Sequence, residues 1–289
     1  MEGLFARHGL RYSAYLLFDF MTFALGFVLA YHLLSHDYYL GALILSIFLA
    51  GRWNGIGVLM HECVHLTAFK TKKYNIWAGE IIAPLLLMDF RRYQASHLHH
   101  HSNLNNENDP DKQKYLYYHE RFRLNRKSNL IAFILAYPLI YLLIKPRTRF
   151  RASFKTSKQG KDRGRLIYPA LLQGGIVLLF AQFQNMLLFL AVTAYLSLVM
   201  KNMREIFEHH LLEGQESRSF FNGDILLANT IYRHNIGFHA LHHRYPGIPF
   251  YRLPDAEKIV PTRTGDDINH VGSLLKILWM KDFQKDVNP

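Results

Sequence analysis

Histidine is the residue type that carries chemistry in this sequence. The 289 residues include 17 histidines, and most of them gather at fixed spacings. Residues 61–65 read H-E-C-V-H, residues 97–101 read H-L-H-H-H, and residues 239–243 read H-A-L-H-H. On a helix, positions i, i+3 and i+4 share a face. That joins His61 with His65, His97 with His100 and His101, and His239 with His242 and His243. His99 turns away from its triplet and reads as a polar or supporting residue. His209, after R-E-I-F-E, adds a ninth imidazole. Its neighbour His210 points about 100° around the helix, so His209 is preferred. His234 stands between a ligand role and a structural one. His8, His32, His36, His119 and His270 are isolated and carry no expected metal role.

Nine imidazoles exceed the needs of one ion, since a tetrahedral zinc site uses four ligands. The single cysteine, Cys63, excludes Cys-x-x-Cys sites and an intrachain disulfide. A nitrogen-rich set without thiolates suits iron, copper, nickel or zinc. Two ions with four or five nitrogens each would use the whole set and leave positions for O₂. Iron is preferred because the clusters adjoin apolar segments, where lipid chemistry needs an oxidant. Asp109 and Asp111 either orient ligating imidazoles from behind or cap a turn around Pro110. A rival reading takes His61, Glu62 and His65 as a zinc-protease motif with Glu62 as general base. It leaves both later triplets unexplained. A non-enzymatic basic membrane protein is the second rival.

The elements that must position these residues are apolar helices. Residues 12–34 are almost wholly apolar apart from Asp19. At about 1.5 Å per residue they can cross a core of about 30 Å. The run lacks a convincing cleavage site, so it reads as a retained helix. Asp19 reads as a lipid- or substrate-channel residue, or as lying near a helix end. Residues 35–39 form a turn without Lys or Arg, and residues 40–60 return across the membrane. Residues 81–88, with Pro84, are too short to span and read as interfacial or re-entrant. Residues 130–144 contain Pro138 and are basic on both flanks, so they read as dipping or interfacial. Residues 167–183 and 186–200, joined by Gln184 and Asn185, form a second hairpin.

The expected fold is an all-α integral membrane protein of one domain. It has four transmembrane helices in two hairpins, with interfacial helices between them. The net charge of +12 is borne by stretches flanking apolar runs, including residues 155–165. This favours a membrane over nucleic acid as partner, with both termini and the metal site cytoplasmic. Basic loops also suit anionic lipid and an acidic electron-transfer partner.

The three boxes, together with R-E-I-F-E-H at 204–209 and G-F-H-A-L-H-H-R-Y-P-G-I-P-F-Y-R-L-P ending at Pro254, resemble the membrane fatty-acid desaturase and hydroxylase superfamily. The resemblance covers roughly residues 12–255 and implies a cytoplasmic helical cap, carrying the histidine boxes, over the membrane-crossing helices. It implies a di-iron centre ligated by His61, His65, His97, His100, His101, His209, His239, His242 and His243, with O₂ as co-substrate and a lipid or fatty acyl chain as substrate. Removal of two hydrogens from a positioned chain gives an alkene; oxygen rebound gives an alcohol. The tail P-G-I-P-F-Y-R-L-P at residues 246–254 looks most like acyl-lipid desaturases, with lipid or carotenoid hydroxylases and ketolases as the alternative. Some desaturases carry an asparagine four residues before the ligand matching His209, contacting one iron through water; here Glu205 stands there. The sequence has no H-P-G-G stretch marking a fused cytochrome b5 domain. A separate donor of ferredoxin, rubredoxin or cytochrome b5 type is therefore expected.

Overall fold

The computed structural model describes residues 2–143, 164–181, 183, 185–209, 219 and 225–260. His210, Gln184, His270 and nearly all of the basic loop 155–165 lie outside the described residues. Every regular element among the described residues is helical.

Among the described residues, three helices are long and apolar enough to cross a membrane: α1 (Gly9–Ser35), α2 (Tyr39–Val64) and α8 (Met186–His209). Between α2 and α8 lie α3 (Lys72–Ile82), α4 (Phe90–Ser102), α5 (Pro110–Phe122), α6 (Lys127–Leu143) and α7 (Gly164–Ala181). The short helices α9 (Ile225–Asn229), α10 (His239–Arg244) and α11 (Leu253–Ile259) follow. The fourth expected crossing corresponds to α7, which is shorter than the three spans; four crossings are not established by length and composition. The expected interfacial piece at 81–88 forms the end of α3 and a 3-10 turn at Ala83–Leu86, with Ile82, Ala83 and Pro84 buried. The expected interfacial piece at 130–144 is α6, which packs on α8. It buries Leu130, Phe133, Ile134 and Tyr137 in a core shared with Ile206 and Phe207.

The two spanning helices that carry histidines run beyond their apolar stretches. The apolar run read as ending at residue 60 continues as helix to Val64, and that read as ending at 200 continues to His209. Backbone hydrogen bonding does not stop where side chains become polar. His61 and His209 therefore sit on the last turns of the spans. Membrane helices thus serve as rigid supports for the site.

Helix α2 is the centre of the bundle and packs against α1, α3 and α8. Its interface with α8 is stitched by polar pairs. Ser46 Oγ lies 3.0 Å from Thr193 Oγ1, and Asn54 exchanges hydrogen bonds with Ser197. Such pairs align apolar helices where water is absent. Helix α1 instead leaves Leu17, Phe18, Met21, Leu25 and Val28 exposed, as a helix facing lipid does.

Asp19 does not lie near a helix end. It lies ten residues inside α1 and is fully buried. Its Oδ1 accepts from Arg52 on α2 at 3.2 Å and from Arg233 Nη2 at 2.6 Å, while Oδ2 lies 2.6 Å from His234 Nε2. His234 is thereby a structural residue. A carboxylate in an apolar segment needs such partners, because burying an unpaired charge is costly. Two glycines on α2 admit the partner segment. A Cβ at Gly51 would stand 2.6 Å from Thr230 Cα, and one at Gly55 would stand 2.7 Å from Arg233 Cδ. The cluster grips the chain just before the third histidine box. His234 and Asn235 are held there at φ 56°, a left-handed conformation that costs non-glycine residues energy.

Candidate metal centre

Each helix that delivers histidines has a local reason for its position. Helix α4 begins at Asp89, whose side chain accepts from Arg92 N at 3.0 Å. It then presents His97, His100 and His101. Helix α10 begins at His239, after the strained turn at His234 and Asn235. Helices α2 and α8 contribute His61 and His209 from their final turns, and His65 follows α2 directly.

All nine expected ligands come together, in two sets. His61, His65, His97, His101 and His242 offer nitrogens that lie within 4.8 Å of one another. His100, His209 and His243 form a second set on the same criterion. His239 joins it, with Nε2 at 2.8 Å from His209 Nε2 and 3.0 Å from His243 Nε2. The boxes do not map one to each set. In each triplet the i, i+4 pair enters one set and the i+3 residue enters the other. On a helix, i+4 lies about 40° to one side of i and i+3 about 60° to the other. The two directions feed two centres. The sets touch where the rings of His101 and His243 stack with centroids 4.4 Å apart.

The nitrogen spacing has no explanation in hydrogen bonding alone. His97 Nε2 lies 2.8 Å from His61 Nε2 and 3.0 Å from both His65 Nε2 and His101 Nε2. One imidazole nitrogen carries one proton or one lone pair, so it cannot satisfy three such neighbours. A shared cation can. With metal–nitrogen bonds of about 2.1 Å, ligands at right angles stand about 3.0 Å apart and tetrahedral ones about 3.4 Å. The observed spacings of 2.8–3.0 Å are nearer the right-angle value.

The electrostatics agree with this. Burial, then the neighbouring imidazoles, hold His65, His97, His239, His242 and His243 well below the usual histidine range. His101 is pushed down to about 2 by the same causes. Neutral imidazole is the form that binds metal. His100 goes the other way: burial opposes its charge, but hydrogen bonding to Asp109 raises its pKa. His100 Nδ1 donates to Asp109 Oδ1 at 2.8 Å, and its Nε2 is buried without a hydrogen-bond partner.

Asp109 contacts both His100 and the turn around Pro110. It orients His100 and also caps α5, accepting from Asp111 N at 2.8 Å and from Asn105 N at 2.8 Å. Asp111 lies 3.8 Å from His100 Nδ1 and pairs with Lys114. His99 belongs to neither set; Asn103 Nδ2 lies 3.3 Å from its Nδ1. Glu205 is directed away from both sets, to Lys114, Tyr115 and Lys201. Glu62 is not placed as a general base facing the site. Its Oε2 accepts from Thr67 Oγ1 at 2.6 Å and from Phe250 N at 3.1 Å. Sequence reasoning passed over Arg52, Arg233 and Glu208. The first was signalled by being a charge inside an apolar run, and the last by standing next to His209.

A helical membrane scaffold carrying two histidine sets defines the class of protein. Comparison then supplies the family. The fatty acid desaturase family model matches residues 38–268, and the chain belongs to that family. It is 27% identical to a fatty acid desaturase of Bacillus subtilis (strain 168), an alignment covering 94% of this chain and 84% of that protein. It is 26% identical to an endoplasmic reticulum omega-3 fatty acid desaturase of Vigna radiata var. radiata, over 70% of this chain and 60% of that one. A shorter match, 35% identical over 83 residues, links 28% of this chain to 24% of a human sphingolipid delta(4)-desaturase/C4-monooxygenase. No solved structure matches significantly. The protein is a lipid desaturase, an oxidoreductase acting on fatty acids.

Proposed function

We propose that the nine histidines hold two iron ions and that the protein desaturates an acyl chain of a membrane lipid, with O₂ as oxidant. His61, His65, His97, His101 and His242 hold one ion; His100, His209, His239 and His243 hold the other. The observation that carries this reading is the position of His97 Nε2, within 3.0 Å of three other imidazole nitrogens. The cysteine-free, nitrogen-rich donor set suits iron, and the spacing departs from that of tetrahedral zinc.

The overall reaction takes two hydrogens from adjacent methylenes, two electrons and two protons, and reduces O₂ to two waters. Bound iron supplies the oxidising power needed to break an unactivated C–H bond. The chain supplies the rest. Asp109 fixes the tautomer of His100 so that its Nε2 faces the centre. The Asp19 cluster holds the turn before His239. The apolar flanks of α1, α2 and α8 give an acyl chain a dry approach, and placing one methylene at the centre sets which bond is oxidised. Electrons come from a separate carrier of ferredoxin, rubredoxin or cytochrome b5 type.

We read the whole chain, 1–289, as one domain. Four crossings, α7 among them, return both termini and the metal centre to the cytoplasmic side, where the basic residues gather. The test of function is expression in a host lacking desaturases, followed by lipid analysis and metal assay. A new double bond in membrane acyl chains, with about two irons per chain, is expected. An active preparation holding a single zinc overturns the iron reading.

A further inference from the structure

We propose that Glu208 is a tenth donor, a carboxylate that completes the second metal set with His100, His209, His239 and His243. The inference rests on the two-iron reading above. Glu208 stands on the last turn of α8, directly before His209, and is 1% exposed. Its Oε2 lies 3.8 Å from His239 Nε2. That nitrogen is the one facing the centre, 2.8 Å from His209 Nε2 and 3.0 Å from His243 Nε2. The carboxylate therefore approaches His239 on its inner side, not behind it at Nδ1. Glu208, His209 and His239 offer donor atoms within 4.8 Å of one another.

The carboxylate is under-used without a metal. Glu208 Oε1 is buried and has no hydrogen-bond partner. Arg204, one turn earlier, brings Nε to 3.4 Å from Oε2, but that Nε is itself without a hydrogen-bond partner. The two form a loose ion pair. A buried carboxylate with an unsatisfied oxygen is costly, and a cation bound at Oε2, the oxygen that faces His239, would compensate the charge the two oxygens share.

The other carboxylates around the centre are committed elsewhere. Glu62 holds Thr67 and Phe250, Asp109 holds His100 and the α5 cap, and Asp111 and Glu205 share Lys114. Among the described residues, Glu208 is the carboxylate that groups with the site's histidines closely enough to share a metal ion. The two centres then differ in kind. One has five neutral nitrogens; the other has four nitrogens and an anionic oxygen. An anionic oxygen donor stabilises the more highly charged state of the ion it binds. The second site is therefore the harder of the two to reduce.

The experiment compares iron content and ⁵⁷Fe Mössbauer spectra of detergent-purified wild type, Glu208→Gln, Glu208→Asp and Arg204→Gln, with melting of the metal-free forms. Wild type should show two inequivalent irons in about equal amounts. Glu208→Gln should lose or shift one component and leave the other unchanged, whereas Arg204→Gln should leave both components in place. If Glu208 serves only to pair Arg204, Glu208→Gln and Arg204→Gln will both destabilise the metal-free protein and leave both components intact; that result overturns the proposal. Should Glu208→Gln not fold, Glu208→Asp decides, with one shifted component supporting the donor role and an unaltered spectrum overturning it. Wild type holding one zinc and no iron overturns the two-iron reading itself, and this inference with it, before any variant is compared.

Discussion

His100 Nδ1 and Asp109 Oδ1 stand 2.8 Å apart, both side chains 1% exposed. This bond turns the remaining nitrogen of His100 toward the second set and ties α4 to the cap of α5. It predicts a graded series. His100→Ala should abolish desaturation and remove about one of two irons. Asp109→Asn should weaken metal binding by about 10–100-fold, since it leaves the ligand but not its orientation. His99→Ala should retain both irons, because residue 99 belongs to neither set. Iron assays at equal folded protein check this. Loss of iron in His99→Ala equal to that in His100→Ala would require withdrawing the assignment of box two.

Asp19 joins three distant parts of the chain. Asp19→Asn should destabilise the protein by about 3–5 kcal/mol, because Arg52 and Arg233 are left buried with their charge uncompensated. Thermal melting in detergent reads this directly. Adding Arg233→Gln to Asp19→Asn should recover part of the loss, since one uncompensated charge goes with it. A single variant that melts like wild type would show that the cluster does not hold the fold.

Glu62 distinguishes a desaturase from a protease built on the same five residues. Glu62→Ala should keep both irons and lose about 1–3 kcal/mol of stability, because Phe250 N is left without its acceptor. Measurable desaturation at reduced melting temperature is the expected result. Complete loss of turnover with unchanged stability would return Glu62 to a role at the reacting centre.

The proposed topology rests on the charge distribution. Tags in residues 35–39 should be labelled from outside, and tags at the N-terminus or in residues 155–165 only after permeabilisation. Outside labelling of residues 155–165 would reject the four-crossing reading.

Much of the candidate site is legible in the sequence. Periodicity alone placed His61 with His65 and grouped each triplet on one face, because helical spacing is a local property. Long apolar runs likewise announced α1, α2 and α8. What local spacing could not assign was the division of labour within a triplet. That His97 and His101 meet His242, while His100 meets His209 and His243, depends on how α4 and α10 cross. Only packing decides that crossing. The same holds for Asp19. Its sequence context showed a charge in an apolar helix, but its partners are 33 and 214 residues away. The sequence by itself determined the kind of donor and the helices that carry it. The tertiary structure decided which donors share a centre, because convergence of nine imidazoles is a property of helices packed together and of no one segment.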